Sequence, residues 1–196
     1  LTLPYERRIT RAAEGLPRRR FTYAELVAME EAEIIVPDER LELIGGELVP
    51  MSQKGIDHEL LKLALSERWY RLPRGDCDLG VATELRLSED TFLGPDAVIF
   101  PRAIGFADLS PATALLVVEI ADSSLEYDLG RKAKEYARFG VRELWVIDAV
   151  RRTTRTFRAP SETGYGETRD YRAAEQIVPL FAPAEFALRL DEIKLA

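Results

Sequence analysis

Soft metal ligands are nearly missing from this sequence: Cys77 is its one cysteine and His58 its one histidine in 196 residues. A single thiol rules out an internal disulfide and fits a reducing compartment, so a cytoplasmic location is expected. One thiol and one imidazole cannot assemble a structural zinc site. No apolar run approaches the roughly 20 residues that span a bilayer, and no membrane partner is expected. The N-terminal arginines have no apolar segment behind them, so no signal peptide is expected. Aromatics make up 9% of the chain and fall mostly in core patterns, which argues against the aromatic-lined cleft of a glycosidase. Also missing are G-x-x-x-x-G-K-[ST], a G-x-G-x-x-G after a strand, and G-x-S-x-G. No repeat, low-complexity stretch or linker divides the chain, and no base-reading motif is visible.

What is present fits one domain of ordinary size. Hydrophobic residues at 46% and charged residues at 31% give the balance of a globular chain with a full core. The net charge of −7 disfavours a polyanionic partner unless basic residues cluster locally. Two groups could do so: Arg7, Arg8, Arg11, Arg18, Arg19 and Arg20 near the start, and Arg151, Arg152, Arg155 and Arg158 later. Solvated surface is the plainer reading of both. Pro4, Gly15 and Pro17 break any pattern in residues 1–20, so a flexible arm is expected ahead of a single domain over 21–196.

Thr22-Tyr23-Ala24-Glu25 is a capping box, starting a helix that should end before Pro37. Two alternating runs, 40–44 and 47–51, flank Gly45-Gly46 and predict a tight hairpin. Leu41, Leu43, Leu48 and Met51 would face inward on it, leaving Glu42 and Glu47 toward solvent unless they reach a site. Helical spacing over 56–72 places His58 in a first turn, as a surface residue or at the edge of a site. Residues 79–87 alternate as one strand, with Glu84 beside the small residues Gly80 and Ala82. Another strand opens at Pro95-Asp96, and 114–120 is apolar enough to be buried on both faces. A helix over 127–139 stops at Gly140 with Leu129, Ala133, Tyr136 and Ala137 as its buried stripe, and Lys132 borders that stripe. A strand over 144–147 follows, then an antiparallel strand over 153–158. A loop at Gly164 and Gly166, a short strand near 176–178 and an alternating run over 186–190 complete the chain.

Asp96 and Glu119 stand out because each sits at or within an apolar strand. A buried carboxylate costs several kcal/mol unless paired. Two of them, with Lys132 arriving on the next helix, fit either a divalent metal site or a structural network of ion pairs. Oxygen ligands select hard cations such as magnesium or manganese. Such an ion polarises a phosphoryl oxygen, and a nearby ammonium stabilises the developing charge.

Pro95-Asp96, Glu119 within Val-Val-Glu-Ile and Lys132 on a helix resemble the restriction-endonuclease-like PD-(D/E)xK nucleases. Residues 40–49, the segment from Ser52 to His58, and 115–148 are similar to the Uma-two family of endonucleases within that superfamily. Tyr127-Asp128, Lys132, Tyr136, Gly140-Val141 and Glu143-Leu144-Trp145 match in order. The resemblance implies an α/β (α+β) fold: a central mixed sheet flanked by helices, with an N-terminal hairpin and a C-terminal antiparallel extension. It implies a magnesium-dependent endonuclease acting on DNA, with manganese as the second choice. Asp96, Glu119 and the Ile120 backbone carbonyl would hold the metal, and Lys132 would assist the attacking water. Ala121 stands where the plain superfamily pattern has its lysine, which makes Lys132 the migrated equivalent. Glu47, His58, Glu84 and Tyr136 are candidates for the site's edge. Cutting two strands needs two sites, so a homodimer is expected. The alternative is a binding or scaffold module that keeps the fold and cleaves nothing.

Overall fold

A computed structural model describes residues 19–36, 39–51 and 53–195. Most of the expected arm, with Arg7, Arg8, Arg11 and Arg18, lies outside the described residues, as do Pro37 and Ser52. The first element is helix α1 (Tyr23–Glu31), and both bonds of the Thr22/Glu25 capping box are made. It ends well short of residue 37.

The hairpin follows as β1 (Leu41–Ile44) and β2 (Glu47–Pro50). Gly45 (φ +59°) and Gly46 (φ +81°) both adopt the left-handed conformation that a two-residue turn of this kind demands. Helix α2 (Ile56–Tyr70) comes next. The strand predicted over 79–87 is divided into β3 (Cys77–Val81) and β4 (Leu85–Arg86). Ala82 breaks it by taking φ +51°, with its N–H still bonded to Asp96 O. A short β5 (Phe92–Leu93) precedes β6 (Ala97–Pro101) and β7 (Leu116–Ala121).

A continuous helical run then leads to β8 (Glu143–Asp148). It comprises α3 (Leu125–Tyr127), a π-helical turn (Asp128–Lys132) and α4 (Ala133–Arg138). The sequence predicts plain α-helix here, and the wider turn is a correction; Gly130, a poor helix former, sits at its centre. Strands β9 (Thr153–Ser161) and β10 (Gly164–Tyr171) form a long antiparallel hairpin, so Gly164 and Gly166 lie in a strand and not in a loop. The short strand expected near 176–178 is reduced to one bridge between Ile177 and Leu188.

Six strands make the main sheet in the order β10-β9-β8-β7-β6-β3, with β7 and β8 parallel and the other pairs antiparallel. This is the mixed sheet flanked by helices that the resemblance implies. A second, antiparallel sheet has the order β2-β1-β5-β4. One face of the main sheet carries α2 and the C-terminal segment, through Leu61, Leu65, Trp69, Phe186 and Leu188 against Val118, Ile120 and Trp145. The other carries the helical run and the small sheet, through Tyr136, Ile44, Leu85 and Leu93 against Val98, Val117 and Val146. Because α1 covers the far side of the small sheet through Leu26, Leu43 and Phe92, β1 is buried on both faces. No described helix is long and apolar enough to cross a membrane.

The arginines of the β8–β9 region are tied down. Arg158 donates to the buried Glu143 at 2.7 and 3.0 Å and to Val178 O at 3.0 Å. Glu143 also accepts from Trp145 Nε1 at 2.9 Å and Leu180 N at 2.7 Å. Arg152 donates to the carbonyls of Leu190 and Ile193, Arg151 pairs with Asp148, and Arg155 pairs with Asp170. Two of these four therefore hold the C-terminal segment to the sheet and form no free basic patch. Glu143→Ala would leave the Arg158 guanidinium without its buried partner. It is expected to cost about 3–5 kcal/mol in denaturant-induced unfolding, and Glu143→Gln clearly less.

Candidate active site

Glu119 sits in the middle of β7, fully buried on the face toward α4. Continuing the β6–β7 register one step past Ala97↔Val118 sets Asp96 opposite it. The helical run brings Lys132, whose Nζ lies 2.9 Å from Glu119 Oε1, 2.9 Å from Glu42 Oε1 and 3.8 Å from Asp128 Oδ1. Tyr136, one turn further on, donates its hydroxyl to Glu119 Oε1 at 2.6 Å. Asp96, Glu119 and Lys132 thus converge, with Tyr136 touching one of them.

Glu42, left toward solvent by the alternation unless it reaches a site, does reach this one, and Lys54 is the residue that sequence reasoning missed. A polar residue in an alternating hairpin is expected to face water, yet Glu42 is 1% exposed because the hairpin lies between α1 and the main sheet. It accepts from Gly94 N at 3.1 Å and from the Tyr127 hydroxyl at 2.8 Å in addition to Lys132. Glu47, at the far end of the hairpin opposite Ile44, is half-buried. Glu84 lies in the gap between β3 and β4, where it accepts the Tyr23 hydroxyl at 2.8 Å, an exposed pair. That bond to Glu84, followed by burial, pushes the Tyr23 phenol up to about 12. Glu84 is thus bonded to α1 and not to the Lys132 cluster.

Asp96 is gripped from the other side. His58, fully buried in α2, places Nε2 2.9 Å from Asp96 Oδ1 and Nδ1 3.0 Å from Glu59 Oε1. Ile120 N–H donates to Asp96 Oδ2 at 2.8 Å, and Lys54 Nζ lies 3.6 Å from the same oxygen. The N–H and C=O of one strand residue point to the same side, so the Ile120 carbonyl also faces the Asp96 edge. Gly55 N–H donates to Asp122 Oδ2 at 2.7 Å and so seats the loop before α2. A Cβ at position 55 would collide with that oxygen.

Charge decides what this arrangement can do. Four carboxylates (Glu42, Asp96, Glu119 and Asp128) face the ammoniums of Lys54 and Lys132. Counting His58 as charged still leaves them in excess. The strain falls on Glu119: burial pushes its carboxyl up to about 8, against the pull of Lys132 and with Asp128, Asp96 and Glu42 adding to the rise. Burial also raises Asp128. For Asp96 burial works the same way, but the His58 hydrogen bond, Lys54 and the Ile120 N–H outweigh it and hold the carboxyl at about 2. For Lys132 burial favours the neutral form, yet Glu119, Glu42 and Asp128 together raise its pKa well above the usual lysine range.

Glu119 Oε2 is buried and has no hydrogen-bond partner. An orphaned carboxylate oxygen among excess negative charge suits a hard cation held by Asp96, Glu119 and the Ile120 carbonyl. Among the described residues no three of His, Cys, Asp and Glu converge into a closed metal cage. Magnesium, which takes only one or two protein carboxylates, tolerates that sparseness, whereas zinc does not. A cavity of about 260 Å³ opens beside the group, lined by Glu42, Met51, Lys54, Ser124, Asp128 and Lys132.

The raised Glu119 pKa has a definite sign in folding. The folded protein keeps a proton that the unfolded chain releases near the ordinary 4.5, so this group's stabilising contribution is lost as pH rises from 4.5 to about 8. Asp96 acts oppositely, its contribution fading as pH falls from 3.8 toward 2. In chelator-treated protein, Glu119→Gln is expected to flatten the plot of Tm against pH between 4.5 and 8, as thermal melts would show.

Comparison with known proteins gives the same fold. No curated protein matches the chain. One solved structure to which it is similar is a "putative nuclease belonging to DUF820" from Anabaena variabilis. The TM-score is 0.66 at 16% identity, covering 88% of this chain and 97% of that one. The family model Uma2, described as "Putative restriction endonuclease", matches residues 24–191. The chain belongs to the Uma2 family.

Proposed function

We propose that this protein is a magnesium-dependent endonuclease that hydrolyses phosphodiester bonds in DNA. The observation that carries the reading is Glu119: a fully buried carboxylate, one oxygen without a partner, between Asp96 and the Lys132 ammonium. Membership of a family described in terms of restriction endonucleases supports it. Asp96, Glu119 and the Ile120 carbonyl would hold magnesium, with manganese as substitute. A bound ion would supply Lewis-acid polarisation of the phosphoryl oxygen and acidify the attacking water.

The chain's own groups then have separable tasks. Lys132 stays an ammonium because three carboxylates surround it. It therefore donates hydrogen bonds and stabilises negative charge developing on the phosphate, and it does not serve as a proton acceptor. Glu42 fixes its position, and Tyr136 fixes that of Glu119. His58 orients Asp96 from α2. Cleaving both strands of a duplex would draw on two copies of the chain.

Purified protein is expected to nick and linearise plasmid DNA in magnesium. Asp96→Asn, Glu119→Gln and Lys132→Met should each lower the rate by about 10²-fold or more, on the scale of lost electrostatic transition-state stabilisation. Cleavage by Lys132→Met at the wild-type rate would exclude the role given to that lysine. A wild-type protein that binds DNA but cleaves neither DNA nor RNA in magnesium or manganese would favour the non-cleaving binding module.

A further inference from the structure

The site holds a second lysine that the assignment above leaves without a task. Lys54 belongs to the short loop between β2 and α2, which is pinned at both ends: Met51 N–H to Arg40 O at 2.9 Å and Gly55 N–H to Asp122 Oδ2 at 2.7 Å. Its side chain is 9% exposed and lines the same 260 Å³ cavity as Lys132, approaching from the loop while Lys132 approaches from the helical run.

The two ammoniums are held very differently. Lys132 makes two contacts of 2.9 Å to carboxylates and is locked. Lys54 stands 3.6 Å from Asp96 Oδ2, beyond the 2.7–2.9 Å of a charge-assisted hydrogen bond. That oxygen already accepts the Ile120 N–H at 2.8 Å. Lys54 therefore rests on Asp96 as a loosely bound counter-charge, on a flexible four-carbon stem that lines the cavity.

We propose that Lys54 is the substrate-phosphate-binding residue of this site. In the metal-free protein it neutralises Asp96. When a divalent cation takes that carboxylate, the ammonium is displaced into the cavity, where it engages a phosphodiester oxygen. The inference rests on the metal-site reading above. It explains why the carboxylate destined for a metal carries a weakly held lysine, and it gives an acidic protein a cation for its polyanionic substrate.

The proposal requires two effects of opposite sign from one substitution. Lys54→Met should bind manganese roughly three- to tenfold more tightly than wild type by titration calorimetry, because no ammonium has to be displaced. In a Lys132→Met background that does not cleave, the same change should weaken manganese-dependent binding of a DNA duplex by about tenfold in fluorescence anisotropy. Lys54→Arg keeps the charge and should retain DNA affinity within about threefold, which guards against a folding defect in Lys54→Met. Manganese affinity unchanged or weakened in folded Lys54→Met overturns the proposal, and so does unchanged DNA affinity. Manganese uptake that Asp96→Asn leaves untouched overturns the underlying metal site instead, so the two failures are distinguishable.

Discussion

The Lys132 ammonium, clasped between Glu119 of the main sheet and Glu42 of the small one, is the interaction on which the rest of this structure depends. It joins three elements at one point: a central strand, a helical run and an N-terminal hairpin. A buried ion pair of this kind adds little net stability, since desolvation offsets much of the attraction. What it provides is definition. Each carboxylate oxygen that accepts from a lysine, a tyrosine or a backbone N–H has a fixed direction, and Glu119 Oε2 is the one left over. The geometry of the unsatisfied group is thus set by the satisfied ones around it.

The π-helical turn is the device that delivers the ammonium. Asp128 and Lys132 open and close that turn, and both are buried, with Ser124 holding Asp128 at 2.6 Å from the preceding turn. Such turns are rare and concentrate at functional sites. Here it lets a lysine reach a strand residue from the helix that follows the strand, which fits Ala121 standing where a lysine on the strand itself would be.

How much of this was legible in the sequence depended on whether the signal was local. The capping box, the Gly-Gly turn and the apolar runs of β7 and β8 declare themselves through neighbours a few residues away, and the structure has them. Asp96 and Glu119 could be singled out because they sit at or within apolar strands, and Lys132 because it borders an apolar stripe and matches the family pattern. Glu42 could not, because its pattern is that of an ordinary half-exposed strand. Its burial is decided by the helical run and the main sheet packing across the inner face of the hairpin, a contact between elements that no periodicity encodes. The division of the 79–87 strand is a similar case: the alternation is real, but Ala82 turns the chain from one sheet into another. The arginines of the β8–β9 region are the converse case, read from the sequence as solvated surface or a local basic cluster. As a cluster in sequence they suggest a basic surface, and only the fold shows Glu143 and the C-terminal carbonyls consuming two of them.

The two borders of the main sheet differ in a way that bears on how copies of the chain can meet. One is the five-residue β3, too brief to template a long partner. The other is β10, whose middle carries the exposed residues Glu167, Arg169 and Asp170. Short and charged borders of this sort resist lateral addition of a further strand. Self-association that extends the main sheet continuously through two molecules is accordingly discouraged.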